Sequence, residues 1–259
     1  MKYPEKVSRH IISWIKDYIS ESGAKGLVIG VSGGVDSALA STLCAETRFD
    51  VLCLELPIYQ DRDQVSRSRK HVEWLKNKYP NVSSKVIQLD ETFNSFVNSI
   101  PNNNSNEHEL SLANTRSRLR MTTLYYFSAL NNYIVAGTGN KVEDFGIGFY
   151  TKYGDGGVDI SPIADLLKSD VFSLAKFHNI IDEIIEAEPN DGLWNDNRSD
   201  EDQIGASYEE IENAMKNHKK SDNLSKRDKE VMDIFNSFHN ANKHKMDPIP
   251  VCKIPKDYL

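Results

Sequence analysis

Four short apolar runs, LVIGV (27–31), VLCLEL (51–56), KVIQL (85–89) and YIVAG (133–137), are separated by stretches that read as helices, from about Ser37 to Glu46, Asp61 to Lys78 and Asn114 to Leu130. This alternation constrains the fold more than any other property of the chain. Parallel neighbours need a crossover connection, usually a helix, and such crossovers are right-handed. Runs that are apolar at nearly every position belong to strands covered on both sides. The pattern therefore predicts an α/β protein built on an open parallel sheet with helices on both faces. One more helix precedes the first strand, where Ile11, Ile12, Ile15 and Ile19 recur at helical spacing.

In such sheets ligands bind beyond the carboxyl ends of the strands, so the loops beginning at Ser32, Pro57 and Thr138 are expected to converge on one crevice. Two segments read as mobile loops, NSIPNNNSNEHE (98–109) and EPNDGLWNDNRSDEDQIG (188–205). The second carries six acids against one arginine, the composition of a solvated or ligand-ordered stretch. The C-terminal part reads as helical, with an apolar face through Val231, Ile234 and Phe238, followed by the extended tail HKMDPIPVCKIP. The expected organisation is a single domain over 1–259, with a core over 1–187, a mobile loop over 188–206 and a helical segment and tail over 207–259.

With 31 basic and 38 acidic side chains the formal charge is −7, which argues against broad attraction to nucleic acid or anionic lipid. The opening MKYPEKVSRHIISWIKDYIS is charged throughout and matches neither a signal peptide nor a membrane span. Cys44, Cys53 and Cys252 follow no metal-ligand spacing, and the first two sit inside apolar stretches. A reducing, cytoplasmic setting is expected, with neither a membrane nor a nucleic-acid partner.

A strand running into Ser32, Gly33 and Gly34 and then into a helix gathers unpaired backbone N–H groups and the positive end of a helix dipole, which makes an anion site. The lysine of a P-loop and the third glycine of a dinucleotide fingerprint are absent. From these residues alone, a strand-to-helix turn with two convenient glycines stays open as an alternative. The whole string SGGVDS resembles the pyrophosphate-binding loop of the ATP pyrophosphatases, which cleave ATP between its α and β phosphates on a Rossmann-like, adenine nucleotide alpha hydrolase-like sheet. The resemblance implies that Gly30, Ser32, Gly33, Gly34 and Ser37 bind ATP and that Asp36 reaches the Mg2+ neutralising the departing pyrophosphate.

Residues 137–170, GTGNKVEDFGIGFYTKYGDGGVDISPIADLLKSD, are similar to the corresponding segment of NAD synthetases, above all in TKYGDGG followed by aspartate, proline and lysine. WIKDYISESGAKG, NTRSRLRM and the HK near the C-terminus agree with that family in order and spacing. The resemblance implies ammonia-dependent NAD synthesis. ATP adenylates the nicotinate carboxylate of deamido-NAD, pyrophosphate leaves, and ammonia attacks the mixed anhydride to give NAD and AMP, without a covalent enzyme intermediate. The chain stops where a glutamine-hydrolysing form would need an amidotransferase domain, so no glutaminase activity is expected. Members of the family are homodimers with the dinucleotide near the subunit interface, and a homodimer is expected here.

By the same resemblance Asp36 and Glu143 are magnesium ligands, and Gln60, Thr138, Lys168 and Asn190 join the ATP site. Lys152 and Lys168 bring positive charge to the phosphates or the adenylate, and Asp155 and Asp159 face the nicotinate end, with Asp155 attracting ammonium. Tyr18, Arg118, Lys152, Asp155, Asp159 and His244 then bind deamido-NAD, and Asp155, Lys168 and Lys152 are the expected catalytic residues. Taken singly, several have plainer readings: Glu143 as a helix cap, Thr138 and GDGG as turn chemistry, Tyr18 packed between Ile15 and Ile19, His244 exposed. Arg116, Arg118 and Arg120 alternate by two, which on a helix spreads them around the barrel, so at most one or two reach a single ligand.

Three positions depart from the family pattern. Glu55 stands where relatives carry an arginine ahead of Leu56 and Pro57, so that ATP contact is either missing or supplied by Gln60 or Arg62; Leu110 replaces an aromatic, and Asn190 a threonine or serine. Two other functions compete. A tRNA-thiolating enzyme would share the ATP chemistry but calls for catalytic cysteines and a basic surface. A non-catalytic nucleotide sensor would bind ATP and release no pyrophosphate.

Overall fold

The computed structural model describes residues 1–101, 105–189, 199–217 and 224–258. Strands β1 (Gly26–Gly30), β2 (Asp50–Glu55), β3 (Val82–Val86) and β4 (Tyr133–Ala136) form one sheet in the order β3-β2-β1-β4, with every pairing parallel. A single bridge from Ala136 to Ile160 extends it beyond β4. The helices among the described residues are α1 (Pro4–Ser22), α2 (Val35–Glu46), α3 (Arg62–Lys78), α4 (Asp90–Ser99), α5 (Asn106–Asn131), α6 (Lys168–Phe177), α7 (Asp182–Ile185), α8 (Asp200–Ile204), α9 (Tyr208–Asn217) and α10 (Lys226–Met246). None is long and apolar enough to cross a membrane.

Side chains alternate across the pleat, so each strand feeds two cores. Leu27, Ile29, Val51 and Cys53 point to one side, where Ile15 and Ile19 of α1, Leu39 and Leu43 of α2, Leu75 of α3 and Leu174 of α6 close over them. Val28, Leu52, Leu54 and Val135 point to the other, beneath Phe93 of α4 and Leu112 of α5. A third, smaller core joins Val142 and Ile147, on a short π-helical stretch after β4 (Val142–Ile147), to Ile204, Tyr208, Ile211, Val231 and Phe235. In the amphipathic stripes of α1 and α10, Ile11, Ile15, Ile19 and Val231 are buried, while Ile12, Ile234 and Phe238 pack from the edges.

The structure moves three expected boundaries. The third strand lies at 82–86, three residues before the apolar run. As an edge strand paired only to β2 it needs little burial on either face; Ile87 and Leu89 instead leave the sheet for the second core, with the Leu89 N–H donating to the Pro57 carbonyl. The central helix begins at Asn106 rather than Asn114, because the Ser105 hydroxyl accepts from the His108 N–H and caps it two turns earlier. The segment 98–109 is therefore largely the end of α4 and the start of α5, with 102–104 outside the described residues. In the acidic segment, 190–198 lie outside the described residues, whereas Ser199 and Asp202 form a capping box that starts α8, and Gly205, at φ 82°, ends it.

Candidate active site

The crossovers from β1 run through β2 to β3, whereas β4 lies on the other side of β1, reached from α5. Chain direction across the sheet reverses between β1 and β4, so the loops leaving them part and open a crevice. A cavity of about 270 Å³ occupies it, lined by the loop from Gly30 to Ser37, by Gly137 to Gly139, and by Leu56 and Gln60 after β2. The three loops converge as expected.

The glycine loop is shaped from within. The Ser37 hydroxyl accepts from the Ser32 N–H at 3.1 Å and donates to the Gly34 carbonyl at 3.0 Å, while the Ser32 hydroxyl accepts from the Gly34 N–H at 3.3 Å. Gly34 enters α2 with extended backbone and no side-chain cap, which leaves the N–H groups of the first turn without intrahelical partners beside the cavity. Gly33 is required twice over. Its φ is +86°, and a Cβ there would lie 2.5 Å from the Gln64 carbonyl oxygen and 3.0 Å from the Ser68 nitrogen, because α3 packs directly on the loop.

Opposite the loop, Lys168 begins α6 and is only 4% exposed. Its Nζ donates to Asp36 Oδ2 at 2.6 Å and to Glu143 Oε1 at 2.9 Å, drawing together the first turn of α2 and the π-helical stretch after β4. Asn140 orders both acids: its Nδ2 donates to Asp36 Oδ1 at 3.0 Å, and its Oδ1 accepts from the N–H groups of Val142 and Glu143. The Tyr208 hydroxyl donates to Glu143 Oε1 at 2.6 Å, lies 3.3 Å from Asp200 Oδ2, and its ring sits 4.7 Å from the Lys168 ammonium. Burial opposes ionisation of both acids. Around Glu143 the ammonium and the phenol outweigh it and hold the carboxyl below its usual range. Asp36 stays above its usual range, since burial together with the Glu143 charge exceeds the pull of Lys168. Burial would discharge Lys168, but the two carboxylates more than reverse this and raise it.

Further along the cavity, Asp155 Oδ1 accepts from the Ser117 hydroxyl at 2.6 Å and the Thr151 N–H at 3.0 Å, while burial pushes its carboxyl up against those bonds. Asp144 lines the same wall, and its carboxyl abuts Gly139 so closely that no side chain would fit there. Burial and the charges of Glu143, Asp155 and Asp36 push it well above the ordinary aspartate range. Among the described residues, no group of three or more His, Cys, Asp or Glu is arranged to hold a metal ion.

Gly30, Ser32, Gly33, Gly34, Asp36, Ser37, Gln60, Thr138, Glu143, Asp155 and Lys168 all line this one cavity. Asn190 lies outside the described residues. Arg118, Lys152 and His244 meet one another outside it: Arg118 Nε donates to the Lys152 carbonyl at 3.2 Å, and Lys152 Nζ to the His244 carbonyl at 2.7 Å. His244 thus contributes its backbone, while its Nδ1 lies 3.1 Å from the Ala241 carbonyl. Tyr18 and Asp159 share a separate, shallow concavity with Trp14 and Phe145. Tyr18 is 40% exposed with its ring 5.9 Å from that of Trp14, so it does not pack in the core with Ile15 and Ile19. Asp159 is engaged with Tyr125, whose hydroxyl donates at 2.9 Å, and with the Val135 N–H at 2.8 Å.

Sequence reasoning missed Tyr208, Asp200, Asn140 and Ser117. Asn140 and Ser117 lie inside the quoted GTGNKVED and NTRSRLRM segments and could have been singled out; Tyr208 arrives from another core with no local pattern to mark it. The three arginines of α5 diverge as their spacing required. Arg116 covers the Phe93 ring at 4.6 Å, Arg118 reaches Lys152, and Arg120 lines the cavity, bonded to the Leu56 carbonyl and to Gln60 Oε1. Glu55 is buried, accepting from the Ser68 hydroxyl at 3.3 Å, and Arg62 and Leu110 are exposed.

A family model described as NAD synthase matches residues 7–248. The chain is similar to the NH3-dependent NAD+ synthetase of Carboxydothermus hydrogenoformans, 38% identical over 82% of this chain and 85% of that one. It is likewise similar to that of Syntrophomonas wolfei, 35% identical over 98% of both. Among solved structures it is similar to the NMN synthetase from Francisella tularensis, with a TM-score of 0.84, 30% identity and 98% of each chain covered.

Proposed function

The chain belongs to the NAD synthase family, and from that premise we propose how its cavity carries out ammonia-dependent, ATP-using synthesis of NAD. One observation carries the reading: a backbone anion site stands across a 270 Å³ cavity from two partly buried carboxylates that share a single ammonium. Asp36 and Glu143 are hard oxygen donors already arranged around a positive charge, which fits Mg2+. With two protein carboxylates the shell would be completed by phosphate oxygens and water, and the cation when bound neutralises charge on the phosphates.

The chain's own residues do the remaining work by holding charges in place. Ser32, Gly33, Gly34 and Ser37 hold the β and γ phosphates, with Gly30, Gln60, Thr138 and Asn190 completing the ATP site. Lys168 faces the α phosphate. An oxygen of the nicotinate carboxylate bonds to the α phosphorus as pyrophosphate leaves with the P–O pair; ammonia, formed as ammonium gives a proton to water, then bonds to the acyl carbon as AMP leaves with the C–O pair, and the nitrogen sheds one further proton to water. Asp155 attracts ammonium to that end of the cavity. Arg118, Lys152 and His244 outside it, and Tyr18 and Asp159 in the second concavity, bind deamido-NAD, and we take two subunits to cooperate in this as a homodimer. A cytoplasmic location suits Cys44 and Cys53, both free and buried, with burial pushing the Cys53 thiol up to about 12.

The test supplies ATP, Mg2+, ammonium and deamido-NAD and follows AMP, pyrophosphate and NAD, expected in equal amounts. Absence of NAD, or an Asp36→Ala variant turning over at the parent rate, would end this reading. The likeness to the NMN synthetase from Francisella tularensis favours a second acceptor, so nicotinate mononucleotide runs in parallel. A preference for it moves the acceptor and leaves the cavity's ATP chemistry in place.

A further inference from the structure

A departing pyrophosphate carries several negative charges, more than a glycine loop and one helix dipole balance. Among the described residues three cations line the cavity: Lys168, Arg120 and Arg67. Lys168 is committed to Asp36 and Glu143, and Arg120 to the Leu56 carbonyl and Gln60. Arg67 is differently placed. It lies on α3 between Gln64 and Ser68, the two residues whose backbone touches Gly33, and its Nε donates to the Gly33 carbonyl at 3.4 Å. Its Nη groups have no hydrogen-bond or ion-pair partner among the described residues, although the side chain is partly buried against the cavity.

We propose that Arg67 is a pyrophosphate-gripping residue, presenting its guanidinium fork to the β and γ phosphates held on the glycine loop. A planar fork suits paired phosphate oxygens better than a point charge does. Glu55, ahead of Leu56 and Pro57, is buried and bonded to Ser68, so the end of β2 brings an acid and no cation, whereas α3 brings one from the residue next to Ser68. Arg62, exposed at the start of α3, does not line the cavity, and Gln60 is neutral and already bonded to Gln64 and Arg120. The proposal rests on the reading of this cavity as the ATP site.

Product inhibition tests it, because pyrophosphate reports on this grip and on nothing at the acceptor end. In Arg67→Gln the inhibition constant for pyrophosphate and the KM for ATP are expected to rise together by roughly tenfold or more. Arg67→Lys recovers part of the loss, and KM for ammonium and the melting temperature stay at the parent values. An inhibition constant within about twofold of the parent overturns the proposal. So does a parallel loss of every constant with a lowered melting temperature, which marks a packing role. If the parent is not inhibited by pyrophosphate at all, the reading of the cavity falls together with the role of Arg67; a normally inhibited parent with an indifferent Arg67→Gln sinks the arginine alone.

Discussion

Tyr208 sets which way Glu143 points. The phenol at 2.6 Å and the Lys168 ammonium at 2.9 Å converge on the same Glu143 oxygen, Oε1. Tyr208→Phe keeps the ring beside the ammonium and removes one buried donor, a change worth about 1–3 kcal/mol when the acceptor is ionised. The expected result is a fall of roughly tenfold in kcat/KM for ATP with little change in KM for ammonium, read from steady-state kinetics. At this scale legibility in the sequence followed the motifs. SGGVDS and GTGNKVED carry Asp36 and Glu143, and both reach the cavity because local backbone, strand end and helix start, dictates where they point. Tyr208 and Asp200 are brought by tertiary packing of the third core, for which no short spacing speaks. Asp159 shows the reverse case: quoted in the same motif as Asp155, it is bonded to Tyr125 and the β4 backbone and lines another concavity.

Elements obeyed pattern along most of the sheet and departed from it at the β3 edge. β1 and β2, each between two neighbours, begin and end within a residue of their apolar runs, whereas β3, at the rim, slid toward polar residues. Helix starts were misplaced where a cap outranked apolar spacing, as Ser105 does for α5. The contact of α3 with the loop after β1 lets one substitution probe that packing. Gly33→Ala places a methyl against the Gln64 carbonyl in a left-handed backbone that disfavours any side chain. The cost is expected to be about 2 kcal/mol or more, visible as a lowered melting temperature, with ATP binding by calorimetry lost beyond what the stability change explains.

The whole molecule is a parallel sheet with a cavity at its reversal point and a small third core packed beside it. Strand and helix alternation made the sheet and the crevice legible, because each follows from short-range periodicity. The third core was not, since its parts come from after β4 and from beyond residue 199. A property of the entire fold resides at the seam of α2 and α3, where His71 is fully buried with its Nε2 3.0 Å from the Ser41 hydroxyl. Burial lowers it to about 4 from 6.5, so the folded form keeps it neutral. Between those values the unfolded chain takes up a proton that the native chain refuses. The contribution of His71 is therefore intact above about pH 6.5 and declines as pH falls toward 4, by up to roughly 3 kcal/mol. Urea unfolding of the parent and of His71→Gln across that window is expected to show the steeper acid loss in the parent; equal slopes would contradict it.

The hook from Tyr208 onto Glu143 ties a carboxylate of the cavity wall to a part of the chain that otherwise packs on the π-helical stretch after β4. Loosening of the later helices is expected to leave the Glu143 carboxylate to Lys168 alone, so those helices act as a fastener on one wall of the cavity.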